Sequence, residues 1–74
     1  MAVKMTRGLY YVLKGDGVEY VGRYEGVCNA FRKTLYRFKV DRYEMVYLHK
    51  EDVKRLAKEW EIALYLLENE GGRL

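Results

Sequence analysis

Residues 27–38 read VCNAFRKTLYRF, and the periodicity of this stretch decides the fold that the sequence predicts. Val27, Ala30, Phe31, Leu35 and Phe38 recur at helical spacing and, at about 100° per residue, share one face with Thr34. Arg32, Lys33, Tyr36, Arg37 and Lys39 fall together on the opposite face. The spacing predicts an amphipathic helix, with Gly26 and Asn29 as alternative N-caps.

The flanking segments are extended. Residues 9–14 (LYYVLK) and 18–24 (VEYVGRY) are rich in aromatic and β-branched residues, and Gly15-Asp16-Gly17 between them tolerates positive φ, a hairpin signal. Alternation puts Leu9, Tyr11 and Leu13 on one face, expected to be the core, and Tyr10, Val12 and Lys14 on the other. Residues 43–48 (YEMVYL) read as a third strand, with Tyr43, Met45 and Tyr47 pointing one way and Glu44, Val46 and Leu48 the other. After it, Val53, Leu56, Ala57, Trp60, Ala63, Leu64 and Leu67 form a second helical stripe. Glu51 and Asp52 suit that helix's N-terminal dipole, and Gly71-Gly72 stop it. The predicted fold is α+β in the order ββαβα: a three-stranded, mainly antiparallel sheet with two helices packed on one face.

One domain is expected over 1–74, with 1–7 and 71–74 frayed. A domain of this size buries only about 60% of the surface its unfolded chain exposes, so its stability is modest. The single Cys28 gives no intramolecular disulfide, which leaves oligomerisation as support. Serine, proline and glutamine are absent while charged residues and tyrosine abound, a profile that leans toward proteins of hot environments. The start MAVKMTRGLYYVLK lacks the long apolar stretch of a secretory signal, and the longest apolar run, 62–67, is far too short to span a bilayer. A soluble cytoplasmic protein is expected.

Reactive chemistry is sparse. There is no serine, one cysteine and one histidine, so nucleophilic catalysis would rest on a Cys28/His49 pair that the fold would have to bring together. A structural zinc site needs about four Cys/His ligands, and two are available. Asp16, Glu19, Glu25 and Asp41 show no ligand-like spacing. Gly15-Asp16-Gly17 begins a dinucleotide fingerprint but lacks its third glycine and lies in a hairpin. A non-enzymatic protein without cofactor or metal is expected.

The charge is informative in its distribution. Residues 1–43 carry nine Lys/Arg against four Asp/Glu, and residues 44–74 carry five against seven, within a net charge of +3. The cationic face of Arg32, Lys33, Arg37 and Lys39, with Tyr36 packing beside it and Arg23 and Arg42 widening it, is suited to a phosphate backbone, although solvated helix faces are often basic too. Tyr10, Tyr43 and Tyr47 on the sheet face left by the helices are candidates for stacking unpaired bases, or for burial in an oligomer. Ile62, Tyr65 and Leu66 lie opposite the Val53/Trp60/Leu67 stripe, and a helix apolar nearly all round needs cover on two sides. A two-fold homodimer through these three residues is expected, with folding-back of the N-terminal arm as the alternative.

A chain with aromatics on a sheet resembles RNA-recognition domains in that feature alone, since the order of elements differs and no RNP-type sequence is present. The hairpin ending Gly22-Arg23-Tyr24 and running into a helix resembles the arm-binding domains of integrases, which have three strands before the helix where this chain has two. No site residue is carried over from either resemblance. The expected function is a small nucleic-acid-binding or regulatory protein, of DNA or RNA, using the basic helix face. The rival is a protein-binding adaptor or inhibitor, of the viral or mobile-element accessory type, that recognises an acidic partner surface.

Overall fold

The first hairpin forms where the sequence predicts it. In the computed structural model, which describes residues 5–69, β1 (Tyr10–Gly15) and β2 (Val18–Ala30) are antiparallel and joined through Asp16 and Gly17, at φ 52° and 78°. Positive φ at both central residues is the turn whose twist matches its flanking strands.

Residues 27–38 are not helical. They are the end of β2, a tight turn at Phe31 and Arg32, and most of β3 (Lys33–Lys39). Phe31 and Arg32 take φ of 50° and 64°, so the chain makes a second tight turn without the glycine or asparagine that normally announces one. β2 and β3 pair from Arg23↔Lys39 to Ala30↔Lys33, which satisfies backbone groups that a helix would have satisfied internally.

The second expected helix is also shortened. After β4 (Met45–Leu48) come a 3-10 turn at Lys50–Asp52 and β5 (Val53–Leu56), and only then α1 (Glu59–Asn69). β5 pairs with the free edge of β1, Leu13 opposite Val53, so the first half of the expected helical stripe is a strand. The sheet runs β4-β3-β2-β1-β5, antiparallel throughout. The ββαβα order, the three-stranded sheet and the pair of helices are thus corrected to a five-stranded sheet and one α-helix among the described residues.

Residues opposite one another in an antiparallel pair point to the same side. Tyr11, Leu13, Tyr20, Gly22, Tyr24, Tyr36, Phe38, Val46, Leu48 and Val53 therefore share one face, the inner one, where Tyr11, Leu13, Tyr24, Phe38 and Val53 form the buried core. The rings of Tyr11 and Phe38 meet at 6.2 Å although β2 lies between their strands. Gly22 makes this approach possible, since a Cβ there would lie 2.8 Å from Leu13 Cδ1, 3.2 Å from Phe38 Cβ and 3.3 Å from Val40 Cγ1. The missing side chain lets the sheet curl around its own aromatic core. Leu9, expected in that core, is exposed.

The helix packs on the other, outer face. Tyr65 is buried there, its ring edge-to-face with Tyr10 at 5.4 Å and its hydroxyl donating to the Lys39 carbonyl at 2.7 Å. The helix start is fixed by Glu61, which accepts from the Lys58 N–H (2.7 Å) and clamps Arg55 of β5 through two bonds of 2.8 Å. This is half of a capping box reinforced by a bidentate ion pair. Together these contacts hold the Glu61 carboxyl down at about 2. At the other end the Arg42 Nε donates to the Asn69 carbonyl (3.1 Å), where the helix dipole favours a cation.

Residues 1–4 and 71–74, expected to fray, lie outside the described range. Within it, Met5 packs on the core, the Thr6 N–H donates to the Tyr11 hydroxyl (2.8 Å) and the Arg7 Nε to the Glu25 carbonyl (3.0 Å).

Candidate nucleic-acid interface

A bulge between Tyr24 and Gly26 bends β2, and its two halves then serve different neighbours. β1 accompanies β2 as far as Arg23, while β4 accompanies β3 only from Tyr36 onward. Between these limits, residues 27–35 are a bare two-stranded ribbon. Four residues separate Tyr36 from Arg32, so the ribbon projects about 13 Å past its neighbours. The molecule is elongated accordingly, 43 × 26 × 24 Å. Near the tip the Thr34 hydroxyl donates to the Asn29 side-chain oxygen across the strands (3.1 Å).

Period-two alternation along β3 sets Lys33, Leu35, Arg37 and Lys39 on the outer face, with Arg32 in the turn. None of these four cations forms an ion pair among the described residues. Arg37 stands opposite Tyr47 and Lys39 opposite Met45, both on the outer face of β4, and Tyr47 is half exposed. Arg37 Nε is shielded from solvent and makes no hydrogen bond. The basic face expected on a helix is therefore present on a strand, where successive outward cations are about 6.6 Å apart.

Several expected members of the site lie elsewhere. Tyr36, expected beside the cations, is on the inner face against Tyr24, with ring centroids 6.2 Å apart. Arg23 shares the outer face with Lys39 but is engaged by Glu25 at 2.7 Å, a hydrogen bond that raises its pKa and offsets its charge. Arg42 is occupied at the end of α1. Tyr10 is half-buried beneath Tyr65, whereas Tyr43 stands out in the β3–β4 loop, its backbone N–H bonded to the Asp41 carboxylate (2.7 Å).

The face of α1 expected to meet a second chain is turned inward instead. Tyr65 is buried and Ile62 and Leu66 half-buried, while Trp60, Leu64 and Leu67 of the expected core stripe are exposed. Beside α1, Trp60, Leu64 and Tyr65 with Glu19, Asp41, Glu61 and Glu68 line a groove of about 490 Å³. It lies about 35 Å along β2 from the ribbon tip. The ribbon tip is thus remote from the acidic groove, whereas Lys39, whose carbonyl accepts from Tyr65, stands beside it.

One feature at the basic end is absent from the sequence-based expectation. Phe31, assigned there to a buried stripe, is at the apex of the ribbon and 95% exposed. A turn signal at 31–32 would have revealed it, but neither residue is a turn former. Cys28 lies on β2 and His49 just after β4, with β3 between them. Among the described residues no group of three or more His, Cys, Asp or Glu is placed to hold a metal, and no helix is long and apolar enough to cross a membrane. No family model, curated protein or solved structure matches this chain.

Proposed function

We propose that this protein binds nucleic acid, with Arg32, Lys33, Arg37 and Lys39 contacting phosphates from the β2–β3 ribbon and the adjoining face of β3. The observation that carries the reading is the placement of Arg32 and Lys33 on the projecting ribbon with Arg37 and Lys39 behind them on the same strand, all four without an ion pair among the described residues. From 26 to 40 the chain has no acidic residue to weaken their field. A two-stranded β-ribbon is also an element that nucleic-acid grooves admit. Tyr47 beside Arg37, and Tyr43 in the next loop, add aromatic surface next to the cations. Arg23 and Arg42 contribute less, because each already has a partner.

Four phosphate contacts on a duplex correspond to a slope of log K against log salt of about −3.6. Replacing Arg32, Lys33 and Arg37 by alanine should reduce that slope to about −1, measured by fluorescence anisotropy on a labelled duplex. Unchanged affinity and slope in this variant would remove the ribbon from the interface.

A second reading, a protein-binding adaptor, is favoured by the exposed Trp60, Leu64 and Leu67 on α1, since large apolar side chains clustered on a surface suit a protein contact. An acidic partner surface would meet the basic face of β3, not this acid-bordered patch. Self-association through α1 would use its outward side, because Tyr65 is committed to the sheet. Failure to bind DNA or RNA at low salt would favour the adaptor.

A further inference from the structure

We infer that the β2–β3 ribbon bends duplex DNA, with Phe31 as an apolar wedge between two base pairs and Arg32 and Lys33 holding the flanking phosphates. The inference rests on the nucleic-acid reading and adds to it a specific partner, double-helical DNA, and a specific action. Three independent observations meet at the tip.

First, Phe31 is 95% exposed at the end of a ribbon that no other strand accompanies, so its ring covers none of the protein's own core. Second, the residue sits at φ 50°, and Arg32 after it at 64°. Left-handed backbone is disfavoured for a bulky side chain, and asparagine or glycine would occupy such a turn at less cost. Phenylalanine here opposes both the backbone preference and the tendency of an aromatic ring to leave water. Third, the flanking charge is uniformly positive, Arg32 and Lys33 on one side and no acidic residue within 26–40.

An exposed apolar residue at the tip of a cationic ribbon is the arrangement used to unstack a base step from the minor groove, kinking the duplex by about 20–90°. Deformation is offset by the contacts it permits, and here Lys33, Arg37 and Lys39 extend behind the wedge along one strand face. A phosphate-binding surface alone requires none of this at position 31. An A-form RNA duplex suits the device poorly, because its minor groove is wide and shallow and its major groove is closed to side chains.

The test uses the full chain and a duplex of about 25 base pairs, long enough for bending to be measured, with donor and acceptor dyes at its ends and 2-aminopurine at the centre. The wild type should raise energy transfer and 2-aminopurine emission together. Phe31→Asn, which suits the turn and removes the ring, should bind with the same salt slope and leave both signals at the level of free DNA. Binding by the wild type without either signal would overturn the wedge while sparing the nucleic-acid reading. Full bending by Phe31→Asn would overturn the role of Phe31. Absence of duplex binding would overturn the wedge, and absence of RNA binding as well would overturn the nucleic-acid reading. Co-sedimentation with phosphatidylserine vesicles in place of any nucleic acid would overturn both, since an aromatic tip with flanking cations also suits an anionic membrane surface.

Discussion

Replacing Gly22 by alanine should destabilise this protein, although the same change at an unhindered strand position would stabilise it. Removing glycine from the unfolded chain is worth about 0.4–1 kcal/mol in favour of folding. Against this stands the space at the centre of the sheet: the new methyl would lie 2.8 Å from Leu13 Cδ1, 3.2 Å from Phe38 Cβ and 3.3 Å from Val40 Cγ1. Leu13 and Phe38 are both fully buried, and the Phe38 Cβ cannot rotate away because it is fixed to β3. Overpacking of this kind costs about 1–3 kcal/mol, so a net loss of about 1–2 kcal/mol is expected. For a domain of 60–100 residues that lowers the thermal midpoint by about 5–15 °C. Thermal and urea unfolding followed by circular dichroism would measure it, with an unchanged urea slope marking a native-state effect. Gly15→Ala is the control, since its methyl would meet only the end of the Tyr20 side chain at 3.4 Å. A Gly22→Ala variant as stable as wild type would refute the close approach of β1 and β3 across β2.

Two further outcomes follow from the turn and the helix start. Phe31→Asn should raise stability by about 1 kcal/mol through relief of the left-handed backbone, read from the urea midpoint, and a fall in stability would show that the ring packs on the ribbon. Glu61 has a folded pKa of about 2 against an ordinary value of 4.5, so the stability it contributes is complete above about pH 4.5 and is lost as pH falls toward 2. Glu61→Gln should flatten that acid limb of the thermal midpoint, and parallel profiles for the two proteins would exclude the Arg55 clamp as its source.

The cationic surface was legible even though its element was misread, and the spacing explains why. Lys33 and Arg37 are four residues apart, which places them together on a helix face and, by alternation, on a strand face. Tyr36 is the residue on which the two periods disagree, and it is the one the structure moves, to the inner face against Tyr24. Phe31 was lost for a related reason, because helical spacing aligned it with Val27 and Leu35 while the turn that isolates it carries no glycine or asparagine. On α1 the period was right and the side was wrong. The helix is apolar on both sides, with Trp60, Leu64 and Leu67 on one and Ile62, Tyr65 and Leu66 on the other, so local pattern could not choose between them. The choice was made by a hydroxyl that reaches the Lys39 carbonyl and a ring that meets Tyr10.

By itself the sequence determined what is written locally: the Asp16-Gly17 hairpin, whose positive φ values demand such residues, the alternation in β4, and the run of cations free of acidic neighbours between 26 and 40. Only the tertiary structure decided that 27–38 is extended and that 53–56 is a strand. Both segments complete hydrogen-bond ladders, β3 along the second half of β2 and β5 along the outer edge of β1. A buried strand edge needs a partner that neighbouring residues cannot supply. That requirement acts between segments far apart in the chain, and it outweighed a helical pattern that each segment carried alone.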